Sequence, residues 1–180
     1  VIVTLFCLAF TLADGPVTFL MEPEASYDLS DEIIIPVFMD SLNGEGPFSI
    51  FLPDVYINND DSTILNFLVS TYEDPLSYKL KAEALSSTSF SYSGIGESLY
   101  LTEKTSLFSL TVSPSNLGQV KLSLSGTYFS GEDDAEYDIT SQEFTINVVD
   151  CTNGADDDGD TLIDCQDPDC SGKQNVNGDT

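Results

Sequence analysis

The chain contains no arginine, no histidine and no tryptophan, and its five lysines face 31 aspartates and glutamates. Each absence removes a class of chemistry. Without histidine the commonest general base and metal ligand is missing. Without arginine there is no bidentate clamp for phosphate or carboxylate substrates. A formal net charge of −26 repels phosphate backbones, so nucleic acid is set aside as a partner, and it disfavours anionic membrane surfaces. An enzyme built from what remains would rely on paired carboxylates, as glycosidases do. No spacing singles out such a pair among so many acids, so the chain is read as non-catalytic. A fragment of a carboxylate-dependent glycoside hydrolase stays as an alternative.

A hydrophobic run long enough to cross a bilayer, about 20 residues, is also lacking. The longest candidate, VIVTLFCLAFTLA at 1–13, fits the apolar core of a secretory signal peptide, with Thr11 and Ala13 as the small residues before a cut. A buried first strand is the competing reading. Under the signal reading the basic start is missing, Cys7 leaves with the peptide, and the mature module is not inserted in a membrane. The other three cysteines, Cys151, Cys165 and Cys170, then meet an oxidising compartment where disulfides persist.

What the chain does have is core-forming material: 180 residues, 41% hydrophobic and 11% aromatic, enough for one main domain and a small appendage. From 14 to 150 the pattern is strand after strand. Strands are expected at 16–20, 32–39, 48–52 and 64–69, with weaker ones at 78–80, 90–92 and 99–101. Pro36 suggests an edge or a bulge in the second. The clearest are Phe108–Val112, Val120–Leu124 and Phe144–Val148, where apolar residues alternate with polar ones. Period two with one polar face describes sheets that each cover a core on one side. Only 76–85 has any helical character, without firm caps. Eight to ten short strands separated by Gly, Pro, Asn and Asp predict an all-β, antiparallel β-sandwich.

A boundary falls near Asp150. The segment CTNGADDDGDTLIDCQDPDC, 151–170, holds seven aspartates and three cysteines but only Leu162 and Ile163 as large apolar residues. So little apolar surface cannot drive folding, and staples or a metal are needed. With Asp156 as position one of a twelve-residue calcium loop, Asp158, Asp160, Asp164 and Asp167 fall at positions three, five, nine and twelve, and Leu162 offers its carbonyl at seven. Calcium takes six to eight hard oxygens, and alternate side chains on a tight loop converge on one point. Two departures stand out: Thr161 replaces the glycine of position six, and Asp167 is shorter than the usual glutamate. No flanking helix is expected, so the prediction is a free-standing loop cross-linked by disulfide. A solvated acidic linker is the bland alternative. Which of Cys151, Cys165 and Cys170 pair is left open, and their spacing does not match a zinc finger or ribbon. Residues 171–180 read as a linker to a further module, with Asn175, Asn177 and Asp179 as a weak start of a second loop. The acidic groups at 58–61 and 131–136 read mainly as solvated turns.

The body resembles a cohesin-type domain, the jelly-roll sandwich of bacterial scaffold and cell-surface proteins. The matching stretches are VTFLMEPEASYDLSDEIIIPVFMDS, TYEDPLSYKL and SLFSLTVSPSNLGQVKLSLSGTYFSGEDDAEYDITSQEFTINV. The tail is similar to an Asp/Cys element of secreted multidomain bacterial proteins and to thrombospondin type 3 calcium repeats. These resemblances imply a module secreted or displayed on a bacterial surface beside other modules of the same chain. Its partner would be a dockerin-like protein or a polysaccharide. A spacer of a surface adhesin, without its own ligand, is the first rival. For sugar binding, Tyr56, Tyr72, Tyr92, Tyr100 and Tyr128 are the candidate platforms.

Overall fold

The computed structural model describes residues 17–41, 48–73, 80–94, 99–101, 104–131, 134–157, 159–163 and 170, with only the backbone described at 41, 48–52, 80–81 and 99–101. The predicted signal segment, Cys7, Cys165 and the linker lie outside the described residues.

Eleven strands form among the described residues: β1 (Val17–Met21), β2 (Ser26–Asp28), β3 (Ile33–Ser41), β4 (Phe48–Asn59), β5 (Thr71–Glu73), β6 (Leu80–Ser86), β7 (Ser89–Gly94), β8 (Leu99–Leu101), β9 (Thr105–Val112), β10 (Gly118–Ser130) and β11 (Glu136–Val149). They make two sheets. The smaller has the order β1-β3-β9-β5; the larger runs β2-β11-β10-β4-β7-β6, with β8 paired to β4. Every pairing is antiparallel except that of β2 with β11. The expected sandwich is therefore what forms. Among the described residues no helix is long and apolar enough to cross a membrane.

Alternation builds the core. Ile33, Ile35, Val37 and Met39 of β3 meet Val55 and Ile57 of β4, Leu107, Phe108 and Leu110 of β9, and Val120, Leu122 and Leu124 of β10, all essentially without solvent contact. Buried rings find polar partners for their hydroxyls, as they must. Tyr128 Oη donates to the Val17 carbonyl at 3.0 Å and accepts the Val17 N–H at 3.1 Å. Tyr92 stacks on Phe108 with centroids 4.3 Å apart and donates to the Leu107 carbonyl.

Pro36 sits inside the smaller sheet, not at its edge, and a register shift follows directly at Val37/Phe38. Its carbonyl accepts the Glu22 N–H just past the end of β1. In an antiparallel ladder one residue's N–H and C=O face the same neighbour. The proline's missing donor therefore faces a place where β1 has already stopped.

Two expectations fail. The strand expected at 64–69 does not form. Asp61 Oδ1 accepts both the Thr63 N–H and hydroxyl, and Asn66 Oδ1 accepts the Leu68 N–H. These side chains give the backbone local partners and turn it, leaving a 3-10 turn at Phe67–Val69 and a single bridge from Leu65 to Pro114. Ile64, Leu65 and Phe67 plug the end of the core instead. The helical alternative for 76–85 fails where it can be seen. Residues 80–86 are β6, with Ala82 and Ala84 packed inward against Tyr92 and Phe90; the rest of that segment lies outside the described residues.

Candidate functional site

Two regions carry candidate function: the outer face of the larger sheet and the aspartate tail. On the sheet, β4 turns Val55 and Ile57 inward, so Tyr56 and Asn58 face out. Tyr56 is 37% exposed and lies opposite Ser91 of β7 and Ser125 of β10. The row beyond pairs Asn58 with Ser89 and Ser123, and the row before pairs Asp54 with Ser93 and Thr127. Phe129 and Leu85, both substantially exposed, stand on β10 and β6 at the margins. The centre is a surface of hydroxyls around one ring, with Glu83, Glu143 and Asp138 around it.

The other candidate tyrosines separate. Tyr92 and Tyr128 are core residues and cannot stack on a sugar. Tyr72 is exposed, but on β5 at the edge of the smaller sheet, leaning on Phe90 at 6.2 Å. The side chain of Tyr100 lies outside the described residues. Nor is the acidic group 58–61 spare surface. Asn59 is buried and donates to the carbonyls of Leu65 and Ser87, Asp60 Oδ1 accepts the Lys121 N–H, and Asp61 makes the turn described above. Those bonds from Thr63 hold the Asp61 carboxyl below its usual range. At the tip of the β10–β11 hairpin, Asp134 is exposed with φ of 55°; Glu132 and Asp133 lie outside the described residues.

The tail begins where β11 ends. The Cys151 N–H donates to Asp28 Oδ2 at 3.0 Å across 123 positions of sequence. Asp28 Oδ1 accepts the Ser30 N–H at 2.8 Å and, in a short contact, its hydroxyl. Cys151 is joined by a disulfide to Cys170, and the two pack with Val149 as a small second core. Of the three candidate cysteines the structure thus pairs these two; Cys165 lies outside the described residues.

Inside the disulfide loop, Asp156 Oδ1 accepts the Gly159 N–H at 2.8 Å and Oδ2 accepts the Thr161 N–H at 3.0 Å. Asp160 Oδ1 accepts the Leu162 N–H at 2.7 Å. Asp157, which the alternate spacing leaves out of the ligand set, turns the other way, toward the Asp150 N–H and the Asn153 amide. Thr161 takes φ of 77°, the left-handed conformation that a β-branched residue adopts only at a cost. In the register expected from the sequence this residue stands at position six, where glycine is usual. Thr161→Gly is expected to stabilise the loop by about 1 kcal/mol, seen as slower amide hydrogen exchange at 159–163.

The donor chemistry of the described residues suits a hard cation: carboxylate oxygens that each accept one N–H keep a second lone pair. Among the described residues no three acidic or thiol side chains meet closely enough to hold an ion. Asp158, Asp164 and Asp167, three of the six predicted ligands, lie outside the described residues.

No protein-family model and no curated protein sequence matches the chain. Among solved structures it is similar to a cohesin module from a Clostridium perfringens family 33 glycoside hydrolase. The TM-score is 0.59 and the identity 10%, over 74% of this chain and 97% of that one. It is also similar to a cohesin chain solved in complex with a dockerin, with a TM-score of 0.54 and 14% identity, over 73% of this chain and all of the other. At such identities the likeness defines the fold: the body is a cohesin-like β-sandwich.

Proposed function

We propose that the chain is a non-catalytic extracellular module, secreted or held on a bacterial surface. It recognises a protein partner of the dockerin class across the outer face of the larger sheet. The observation that carries this reading is the row Ser91–Tyr56–Ser125 at the centre of that face, with Phe129 and Leu85 at its margins. Aromatic anchors on a hydroxyl-bearing surface suit a protein interface, whose energy concentrates in a few central rings. A polysaccharide is less well served, because the exposed tyrosines described, Tyr56 and Tyr72, belong to different sheets.

Calorimetry against a panel of purified dockerin modules, with a glycan array as counter-test, examines this directly. Tyr56→Ala is expected to weaken the productive pair at least about tenfold while thermal stability holds, since the ring is outward. Binding to glycans alone, or a Tyr56→Ala affinity equal to that of the parent, sinks the reading.

The aspartate loop supplies a second element: a calcium ion held by Asp156, Asp158, Asp160, the Leu162 carbonyl, Asp164 and Asp167. Bound there, the ion would offset the mutual repulsion of the carboxylates and order a segment with almost nothing to bury. The positive φ of Thr161 and the capped Asp156 carboxylate support this register. Calcium titration followed by calorimetry and NMR tests it, with shifts expected at 156–167; their absence ends the assignment.

A further inference from the structure

The N-terminal run from β1 through β2 travels in the same direction as β11. Gln142 of β11 donates to the Phe19 carbonyl at 2.6 Å and accepts the Met21 N–H. Further along, the Asn147 N–H reaches the Ala25 carbonyl, and the Leu29 N–H reaches the Val149 carbonyl at 2.7 Å. Between them Ser26, Tyr27 and Asp28 register in parallel with Asn147, Val148 and Val149. The Cys151 N–H on Asp28 closes the series.

Tension that pulls the start of β1 backward and the end of β11 forward slides these two runs past each other. The bonds then resist together. In a hairpin pulled from its open end, they would break in succession. The disulfide decides where such tension enters. Pull applied beyond Cys170 crosses the sulfur bridge to Cys151, one residue after the Asp150 that follows β11, and Cα atoms 5.4 Å apart replace the backbone between the cysteines. The aspartates between Cys151 and Cys170 lie off the path.

We propose that the Cys151–Cys170 bridge and the parallel β2–β11 pairing together form a tension-bearing joint, which carries pull directly into the sandwich and bypasses the aspartate loop. The joint is redox-sensitive: with the bridge reduced, the same pull first straightens the loop. This goes beyond the binding reading and does not depend on calcium.

Single-molecule stretching of the full chain between handles at its termini, in chelator, provides the test. With the bridge intact, the sandwich ruptures without prior lengthening from the loop. After dithiothreitol, about 60 Å of extra extension is expected before the sandwich yields, from a sequence separation of 19 at about 3.5 Å per residue. The rupture force of the sandwich stays the same. Gln142→Ala and Asp28→Asn each remove bonds of the sheared series, and each is expected to raise the forced-unfolding rate about tenfold. Gln142 is half-exposed, so its variant guards against a folding failure at Asp28. No added length on reduction, or about 45 Å as a Cys151–Cys165 bridge would release, overturns the proposal. So does an unfolding rate unchanged in both variants.

Discussion

Gly126→Ala is expected to destabilise the sandwich by more than about 3 kcal/mol and to lower its melting temperature by roughly 10 °C. Gly126 has φ of 148°, and a Cβ built there would stand 1.8 Å from the Asp54 carbonyl oxygen and 3.1 Å from the Val55 Cα. Both are backbone atoms of β4, so no side chain can swing away to make room. Around Gly126 the register of β10 shifts against both neighbours, at Leu124/Gly126 toward β11 and at Thr127/Phe129 toward β4. Relief would require β4 to move away from β10 in the middle of the larger sheet, opening the core at Val55. The displaced strand also carries Tyr56, so the candidate binding face should suffer with the fold. Thermal unfolding followed by circular dichroism measures the effect; a loss of only a degree or two would mean that the close approach is not present in solution.

Calcium affinity in Asp156→Ala should fall by about a hundredfold. Asp156 would contribute more than a ligand oxygen. Its carboxylate gathers the Gly159 and Thr161 N–H groups, and those two bonds curl the backbone that brings the later positions round. Removing the side chain deletes charge, ligand and scaffold together. Asp150→Asn is the matched control. Asp150 caps Thr152 at the start of the tail and lies outside the twelve-residue loop, so affinity should hold there. With calcium at a hundred times its dissociation constant the parent tail gains about 2.7 kcal/mol, and in Asp156→Ala that protection should fall to about 0.4 kcal/mol at the same concentration. Equal affinities in Asp156→Ala and its parent would separate calcium binding, wherever it occurs, from this loop.

The strands that cover the core were legible because their signal is local. Leu122–Ser123–Leu124 and Phe144–Thr145–Ile146 declare their two faces within a few residues, and β10 and β11 follow. The 64–69 stretch misled for the same reason. Its apolar content is real, and Ile64, Leu65 and Phe67 are indeed buried, but Asp61 and Asn66 bend the backbone that displays them. Asp28 could not have been found by pattern. It lies in a three-residue strand, and its partner, the Cys151 N–H, exists only once β2 and β11 are side by side. Tyr92 and Tyr128 show the same limit: their residue type fits a sugar platform as well as a core, and only burial distinguishes them. In the tail, Asp156 accepts the Gly159 and Thr161 N–H groups while Asp157 turns to Asp150 and Asn153; the calcium register read from the spacing depends equally on Asp158, Asp164 and Asp167, which lie outside the described residues.

Among the described residues β5 and β6 are outermost strands of their respective sheets, a position that can leave one row of peptide groups turned away from the sandwich. Such rows invite a second molecule to add itself and extend the sheet into a fibre. Here any approaching copy brings its own −26 charge, so self-assembly at these borders is opposed by repulsion that reaches about 30 Å near 0.01 M salt and collapses to about 3 Å near molar salt. The acidity that rules out so many ligands thereby acts as a colloidal safeguard, and it is strongest where ionic strength is low.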